Sequence, residues 1–234
     1  LLNPGSVGGG VFHLSIAAPS SATPHWVAGD IAEIRPRQSP QAVGALLSVA
    51  GLAPASPVVI DGELHDLGDV VSRSHLPLRD ELSGVNAQNL ADKLKPLPHR
   101  EYSIASLPAD GTLQLVVRRM LRPDGSPGIG SGWLCDHAVP GGEIALRLRS
   151  NPNFHAPAPD RPMILIGNGT GIAGLRSHLK ARIAVGAARN WLLFGERNAE
   201  RDFFFSEELL GWQAQGFIER LDLAFSRDEG QRIY

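Results

Sequence analysis

The chain has 234 residues, 43% apolar and 20% charged, a usage that supports a buried core and favours two domains of unequal size. Its net charge is −2 and its basic residues are scattered, which excludes the basic stripe of a nucleic-acid binder. A single cysteine, Cys135, excludes an internal disulfide and any cysteine-built zinc or iron–sulfur site, and no apolar run is long enough to span a bilayer. The histidines show no H-x-x-x-H spacing, so no metal is expected. The start at Leu1 without methionine and the stop at Tyr234 after a strand-like run read as a piece of a larger protein.

In chain order, Val11–Ile16 is strand-like, a turn-rich patch with Pro19 and Pro24 follows, and Trp26–Ile31 resumes strand character, so 11–34 reads as a hairpin. Residues 40–52 switch to helical spacing, with Val43, Leu46, Leu47 and Ala50 on one side and Gly51 as a stop. A weaker helical stretch runs from Leu82 to Leu94 and is ended by Pro96 and Pro98. Strands return at 102–105 and 113–121, joined by Asp110-Gly111 as a tight turn. A glycine-rich loop from Arg122 to Gly132 precedes a short strand at 143–148, and Ala156-Pro157-Ala158-Pro159 is the linker candidate. Short strands with frequent Gly and Pro predict a small barrel. Beyond Pro162 the pattern is strand 163–166, helix 173–185, strand 191–194, helix 206–215, strand 221–225, which predicts a parallel sheet.

The apolar run Met163–Ile166 opens directly into Gly167-Asn168-Gly169-Thr170-Gly171-Ile172-Ala173-Gly174, and Leu175, Leu179 and Ile183 then mark a helix. A turn in that setting delivers backbone N–H groups and a helix N-terminus to one spot, which suits a pyrophosphate. Gly169 to Gly174 fits G-x-G-x-x-G in the required strand–turn–helix context. A NAD-type site adds an acidic residue at the end of the second strand to hold the ribose, and Glu196 is the candidate. Arg197 beside it, Ser226-Arg227 after the third strand, and Arg232 point instead to a ribose 2′-phosphate, because the ends of parallel strands converge at one sheet edge. NADPH is the expected nucleotide, and NADH, with Glu196 on the ribose, the alternative.

Arg100-Glu101-Tyr102-Ser103 starts a strand in which alternation puts Arg100 and Tyr102 on one face. An arginine that can fork a phosphate and a tyrosine that offers a flat surface suit a dinucleotide with a tricyclic head. With these residues the chain resembles the ferredoxin–NADP reductase superfamily, and within it the FAD/NADPH module of diflavin reductases of the cytochrome P450 reductase and sulfite reductase flavoprotein type. Six segments carry the resemblance in the family's order: 26–30, 100–106, 128–134, 167–173, 194–198 and 226–228.

The resemblance implies an antiparallel Greek-key β-barrel binding FAD over residues 1–158, with a short helical insertion at about 39–95. An α/β parallel-sheet nucleotide-binding domain follows over 159–234, C-terminally incomplete. By resemblance, Arg100, Glu101, Tyr102, Ser103, Val116, Val117, Arg118, Gly128, Ile129, Gly130 and Ser131 bind FAD, with Ser103 catalytic beside the flavin. Gly169, Thr170, Gly171, Arg197, Ser226, Arg227 and Arg232 bind NADP. The implied activity passes electrons from NADPH through FAD to FMN, a flavodoxin-like protein or a metal centre, with FMN in a domain preceding Leu1. The implied partners are that FMN domain, fused or separate, or another redox acceptor. The implied location is cytoplasmic, or the cytoplasmic face of a membrane through segments outside this chain. The rival from another class is a non-catalytic or truncated flavin- or nucleotide-binding module.

Overall fold

The computed structural model describes residues 1–228. In chain order its elements are β1 (Val11–Ile16), β2 (Ile31–Ile34), α1 (Pro40–Ala50), β3 (Pro57–Ile60), β4 (Glu63–Asp66), α2 (Leu67–Ser72), α3 (Ala87–Lys93), β5 (Arg100–Ser103), β6 (Leu113–Arg118), α4 (Ile129–Gly132), β7 (Leu146–Arg149), β8 (Met163–Asn168), α5 (Ile172–Ala184), β9 (Asn190–Glu196), α6 (Ala199–Asp202), α7 (Ser206–Ala214) and β10 (Arg220–Phe225). They fall into two compact units: one contains Leu1–Glu33, Glu101–Leu121 and the chain from Leu146 onward, the other Ile34–Arg100 and Arg122–Ala145.

In the first unit β8, β9 and β10 form a parallel sheet in the order β10-β9-β8, with Leu165 opposite Leu192 and Phe194 opposite Leu223. This matches the strand–helix alternation after Pro162, since a helical crossover returns the chain to start the next strand in the same direction. Leu165, Leu192 and Phe194 bury one face against Ile172, Leu175 and Leu179 of α5 and Leu209 of α7. Gly167 lets that helix close on the strand, since a Cβ there would lie 2.8 Å from Leu175 Cδ1. The remaining strands make an antiparallel pair, β1 with β6, and a sheet in the order β5-β2-β7. Glu33 on β2 accepts from Arg147 Nε at 2.7 Å and Arg149 Nε at 2.7 Å, both on β7.

The hairpin predicted over 11–34 does not form. β1 takes β6 as partner, from Val11 opposite Arg118 to Ile16 opposite Leu113. The segment read as its second strand is a turn: the buried Trp26 indole donates to Ser106 O at 2.9 Å, Gly29 has φ 98°, and Asp30 accepts from Val27 N at 2.9 Å and Asn151 N at 3.0 Å. Local alternation was overridden by long-range pairing, the usual way strand patterns mislead. The tight Asp110-Gly111 turn is also wider than predicted. A 3₁₀ turn at Pro108–Asp110 precedes Gly111, and Ser106 Oγ donates to Thr112 O and accepts from Gln114 N, closing the loop with a side chain.

The second unit has its own core of Val43, Leu46, Leu47, Val58, Leu67, Val70, Val71, Leu82 and Leu90. α1 starts where predicted because Ser39 Oγ accepts from Ala42 N and Pro40 is pre-set for the first turn; it ends at Gly51 with φ 66°. The weaker helical stretch resolves into a 3₁₀ turn at Arg79–Leu82 and α3, capped by Asn86. Between α1 and α3 lie α2 and the β3–β4 hairpin, which the sequence reading passed over. The hairpin turns on Asp61 and Gly62, at φ 51° and 84°, the Asp-Gly pair that a mirror-image turn demands. The stretch 128–132, read as loop, forms α4 and continues into a π-turn at Trp133–His137. Glycine permits it: Gly132 N donates to Gly128 O at 2.6 Å, and a Cβ on Gly132 would stand 2.6 Å from Pro127 Cβ.

Candidate nucleotide and flavin site

An open cleft of about 790 Å³ lies at the C-terminal ends of β8, β9 and β10, lined by Asn168, Gly169, Thr170, Glu196, Arg197 and Ser226 among others. Open α/β sheets place ligands at that edge, because every strand there hands its chain to a loop and every following helix starts there. Gly169 has φ 53°, a conformation costly for residues with a Cβ, and it turns the chain from β8 into a 3₁₀ turn at Gly169–Gly171 and then α5. A Cβ on Gly171 would meet nothing within 4 Å, so the turn faces open space. No side chain caps the N-terminus of α5 and its first turn carries no acid, leaving backbone donors and the positive end of the helix dipole for an anion.

The third glycine of the fingerprint has a different task. A Cβ on Gly174 would fall 2.9 Å from Phe154 Cε1 and 3.4 Å from Ser103 Cβ, so the absent side chain lets α5 touch the end of β5. Ser103 is thereby brought beside the first turn of the helix that starts in the cleft. Arg176 locks the arrangement: its buried guanidinium donates to Ala105 O at 2.7 Å, Gln114 Oε1 at 2.8 Å and Glu208 Oε2 at 2.6 Å, and it stands 4.6 Å from the Phe205 ring. Nothing in the residue pattern singled out Arg176, since a buried arginine in a helix has no local signature.

Charge in the cleft is arranged in a pair and a neighbour. Arg118, at the end of β6, bonds Glu196 Oε1, and Glu196 Oε2 accepts from Arg197 N at 2.7 Å. The Arg118 guanidinium, expected at the flavin, lines this cleft. Val116 and Val117 are buried in β6. Ser226 N and Oγ both donate to Glu196 O, and Arg227 N donates to Arg197 O at 2.8 Å, so the two loops run together while the exposed Arg227 side chain stays available. Arg232 lies outside the described residues.

Arg100 and Tyr102 are half-buried and Glu101 and Ser103 exposed, the alternation expected of β5. Arg100 Nη1 bonds only the carbonyls of Pro98 and His99 among the described residues, which leaves its guanidinium without an acid partner and fit for a phosphate. Glu101 pairs with Arg149 Nη2 at 2.8 Å. Arg100 and Gly128, Ile129, Gly130 and Ser131 belong to the second unit; Glu101, Tyr102, Ser103 and Val116–Arg118 belong to the first. Among the described residues no cluster of three His, Cys, Asp or Glu could hold a metal, and no helix is long and apolar enough to cross a membrane.

The residues that the sequence reading missed are Asn3, Gly8 and Gly9. Arg118 Nη1 donates to Gly9 O at 3.3 Å, and a Cβ on Gly8 would overlap the Arg197 guanidinium. The run Gly8-Gly9-Gly10 was the only hint, and glycine runs are ordinarily read as slack.

Residues 165–231 match the family described as the oxidoreductase NAD-binding domain. That match falls on the parallel sheet and its glycine turn and agrees with the resemblance to the ferredoxin–NADP reductase superfamily. More particularly, the chain is 40% identical over 166 residues to the sulfite reductase (NADPH) flavoprotein alpha-component of Yersinia enterocolitica, covering 67% of this chain and 27% of the relative. It is 39% identical over 157 residues to the protein of that name from Salmonella typhimurium, 64% of this chain and 26% of the relative. The corresponding protein of Mannheimia succiniciproducens is 36% identical over 164 residues, 67% of this chain and 28% of the relative. The resemblance read from the six segments holds, on the sulfite reductase flavoprotein side, and the chain spans about a quarter of the length of these relatives.

Proposed function

We propose that the chain is the FAD- and NADPH-binding part of an oxidoreductase that takes electrons from NADPH and passes them on singly. The observation that carries this reading is the contact of Ser103 with Gly174: the helix whose N-terminus opens the nucleotide cleft begins against the end of the strand bearing the flavin-type Arg-x-Tyr-Ser segment. When bound, the flavin supplies two-electron acceptance from reduced nicotinamide and one-electron release. The chain supplies binding and position. Arg100 takes the FAD pyrophosphate, Tyr102 offers a face to the ring system, and the Ser103 hydroxyl stands as hydrogen-bond donor or acceptor at its reactive edge. Glu101, Val116, Val117, Arg118 and the α4 segment Gly128–Ser131 complete the flavin-binding set. On this reading the five strands of β1, β6, β5, β2 and β7 close as a Greek-key barrel within residues 1–158, and 159–234 serve the nucleotide.

Gly169, Thr170 and Gly171 face the NADPH pyrophosphate with backbone donors and one hydroxyl. Arg197, Ser226, Arg227 and Arg232 take the ribose 2′-phosphate. Glu196 in the cleft is the observation that favours NADH instead, since a carboxylate at the end of the second strand suits two ribose hydroxyls. Its pairing with Arg118 counts against this, because both carboxylate oxygens already have donors. The onward acceptor is a flavodoxin-like FMN domain or another redox protein, and the setting cytoplasmic.

The test is direct. Protein purified with FAD is mixed anaerobically with NADPH or NADH, and the bleaching of flavin absorbance is followed. Rapid bleaching by NADPH is expected. Colourless protein that cannot be reconstituted with FAD sinks the reading, and faster bleaching by NADH transfers the site to the other nucleotide.

A further inference from the structure

The first ten residues are bound into the nucleotide side of the first unit by side chains. Asp202, fully buried at the end of α6, accepts from Asn3 Nδ2 at 3.1 Å, from Ser6 Oγ at 3.0 Å and from Asn198 N at 3.2 Å. Asn3, 2% exposed, also donates to Gly9 O at 3.3 Å and accepts from Val11 N at 2.7 Å, while Gly8 N donates to Ser6 Oγ at 3.1 Å. One carboxylate thus fixes both the strap Asn3–Gly9 and Asn198, the residue after Arg197.

That strap holds two cleft arginines. Arg118 donates to Gly9 O, and the Arg197 guanidinium lies where a side chain on residue 8 would begin: a Cβ there would be 3.0 Å from Arg197 Cζ and 3.3 Å from Arg118 Nη1, and closer still to Arg197 Nη1. No positive φ requires glycine at this position, so what the missing Cβ provides is room for the arginine. An arginine side chain samples many rotamers, and a backbone surface that confines it raises the share of time its fork faces the cleft.

We infer that the strap Asn3–Gly9 sets the pyridine-nucleotide preference, with Gly8 as the positioning residue that seats Arg197 in the cleft. The inference rests on the reading of the cleft as a 2′-phosphate site. A Cβ at position 8 displaces a flexible guanidinium rather than backbone, so the fold survives and the phosphate contact is lost.

The experiment measures binding of 2′,5′-ADP and of 5′-AMP to the full 234-residue chain by calorimetry, for the wild type, Gly8→Ala and Ser6→Ala, with thermal unfolding recorded for each. Gly8→Ala is expected to weaken 2′,5′-ADP about tenfold, the loss of one charge-assisted hydrogen bond, while 5′-AMP changes less than about twofold and the unfolding midpoint holds. Ser6→Ala, which frees Gly8 N and loosens the strap, is expected to weaken 2′,5′-ADP in the same direction by a smaller factor. Equal 2′,5′-ADP affinity in the wild type and both variants overturns the inference alone, and so does an equal fall for the two ligands. Wild-type protein that fails to prefer 2′,5′-ADP over 5′-AMP overturns the 2′-phosphate reading, and the inference with it.

Discussion

The guanidinium of Arg118, at the end of β6, is paired with the carboxylate of Glu196, at the end of β9, and both line the cleft. Their side chains are 20% and 6% exposed, so neither partner is left alone without cost. Arg118→Ala is expected to destabilise the chain by about 3 kcal/mol, by stranding a buried carboxylate, and urea unfolding measures this. Glu196→Gln keeps the shape, releases Arg118 toward an incoming anion, and is expected to tighten 2′,5′-ADP binding several-fold. An unchanged affinity in that variant would show that Arg118, once freed, does not reach the nucleotide phosphate.

Arg227 exposes its side chain beside the loop it shares with Arg197. Arg227→Ala is expected to raise the KM for NADPH by about tenfold or more, on the scale of a charged hydrogen bond, with kcat held and NADH use unaltered. Steady-state reduction of ferricyanide with each nucleotide separates these outcomes, and equal losses would count against a 2′-phosphate pocket.

Among the described residues Arg100 makes hydrogen bonds only to carbonyls two residues or one residue before it, so its removal strands none of them. Arg100→Ala is expected to fold normally and to lose flavin. The check is the ratio of visible to ultraviolet absorbance after gel filtration, with circular dichroism to confirm the fold. A yellow variant with wild-type flavin content would reassign the phosphate contact.

How much of this could be read beforehand depended on how local each signal was. The βα turn at Gly169–Gly174 was legible because its determinants are contiguous: apolar strand, left-handed glycine, helix start. Even its third glycine had a foreseeable task in close packing, and the partner, Ser103, lies in a segment singled out for other reasons. α1 was legible for the same reason, since Ser39, Pro40 and Gly51 mark both ends. The β1 pairing was not, because Val11–Ile16 alternates equally well against any neighbour and the choice of β6 is made by residues a hundred positions away. The direction of the Arg118 side chain was equally out of reach, since the motif located its strand while Glu196 and Gly9 take its guanidinium.

Gly174 sits so close to Ser103 and Phe154 that one methyl group is felt. Gly174→Ala is expected to leave FAD content intact and to slow flavin reduction by NADPH and NADH alike, because the displaced α5 terminus shifts either nicotinamide from its partner. Stopped-flow reduction at saturating nucleotide reports this. A change confined to one nucleotide would place the effect at the ribose instead.

His178, on α5, is 1% exposed, with its ring edge-on to Phe154 at 4.9 Å. Burial pushes its imidazole below the usual histidine value, and burial does the same to His13. The unfolded chain therefore takes up protons at pH below about 6.5 that the folded chain does not, so stability falls as pH drops through that value and continues to fall toward the folded pKa. Thermal unfolding followed from about pH 7.5 to 5 is expected to show this decline, and His178→Phe to flatten it. A midpoint that rises on acidification would contradict the sign.

The bond from Asn3 to Asp202 spans 199 positions of sequence. Closing a loop of that length is slow and comes late in folding, after the local elements have formed. The stretch from Met163 onward, cut away from the strap as a separate fragment, would keep Asn198 N as donor to Asp202 but lose the two from Asn3 and Ser6. It would be a poor candidate for an autonomous domain, however complete its sheet looks.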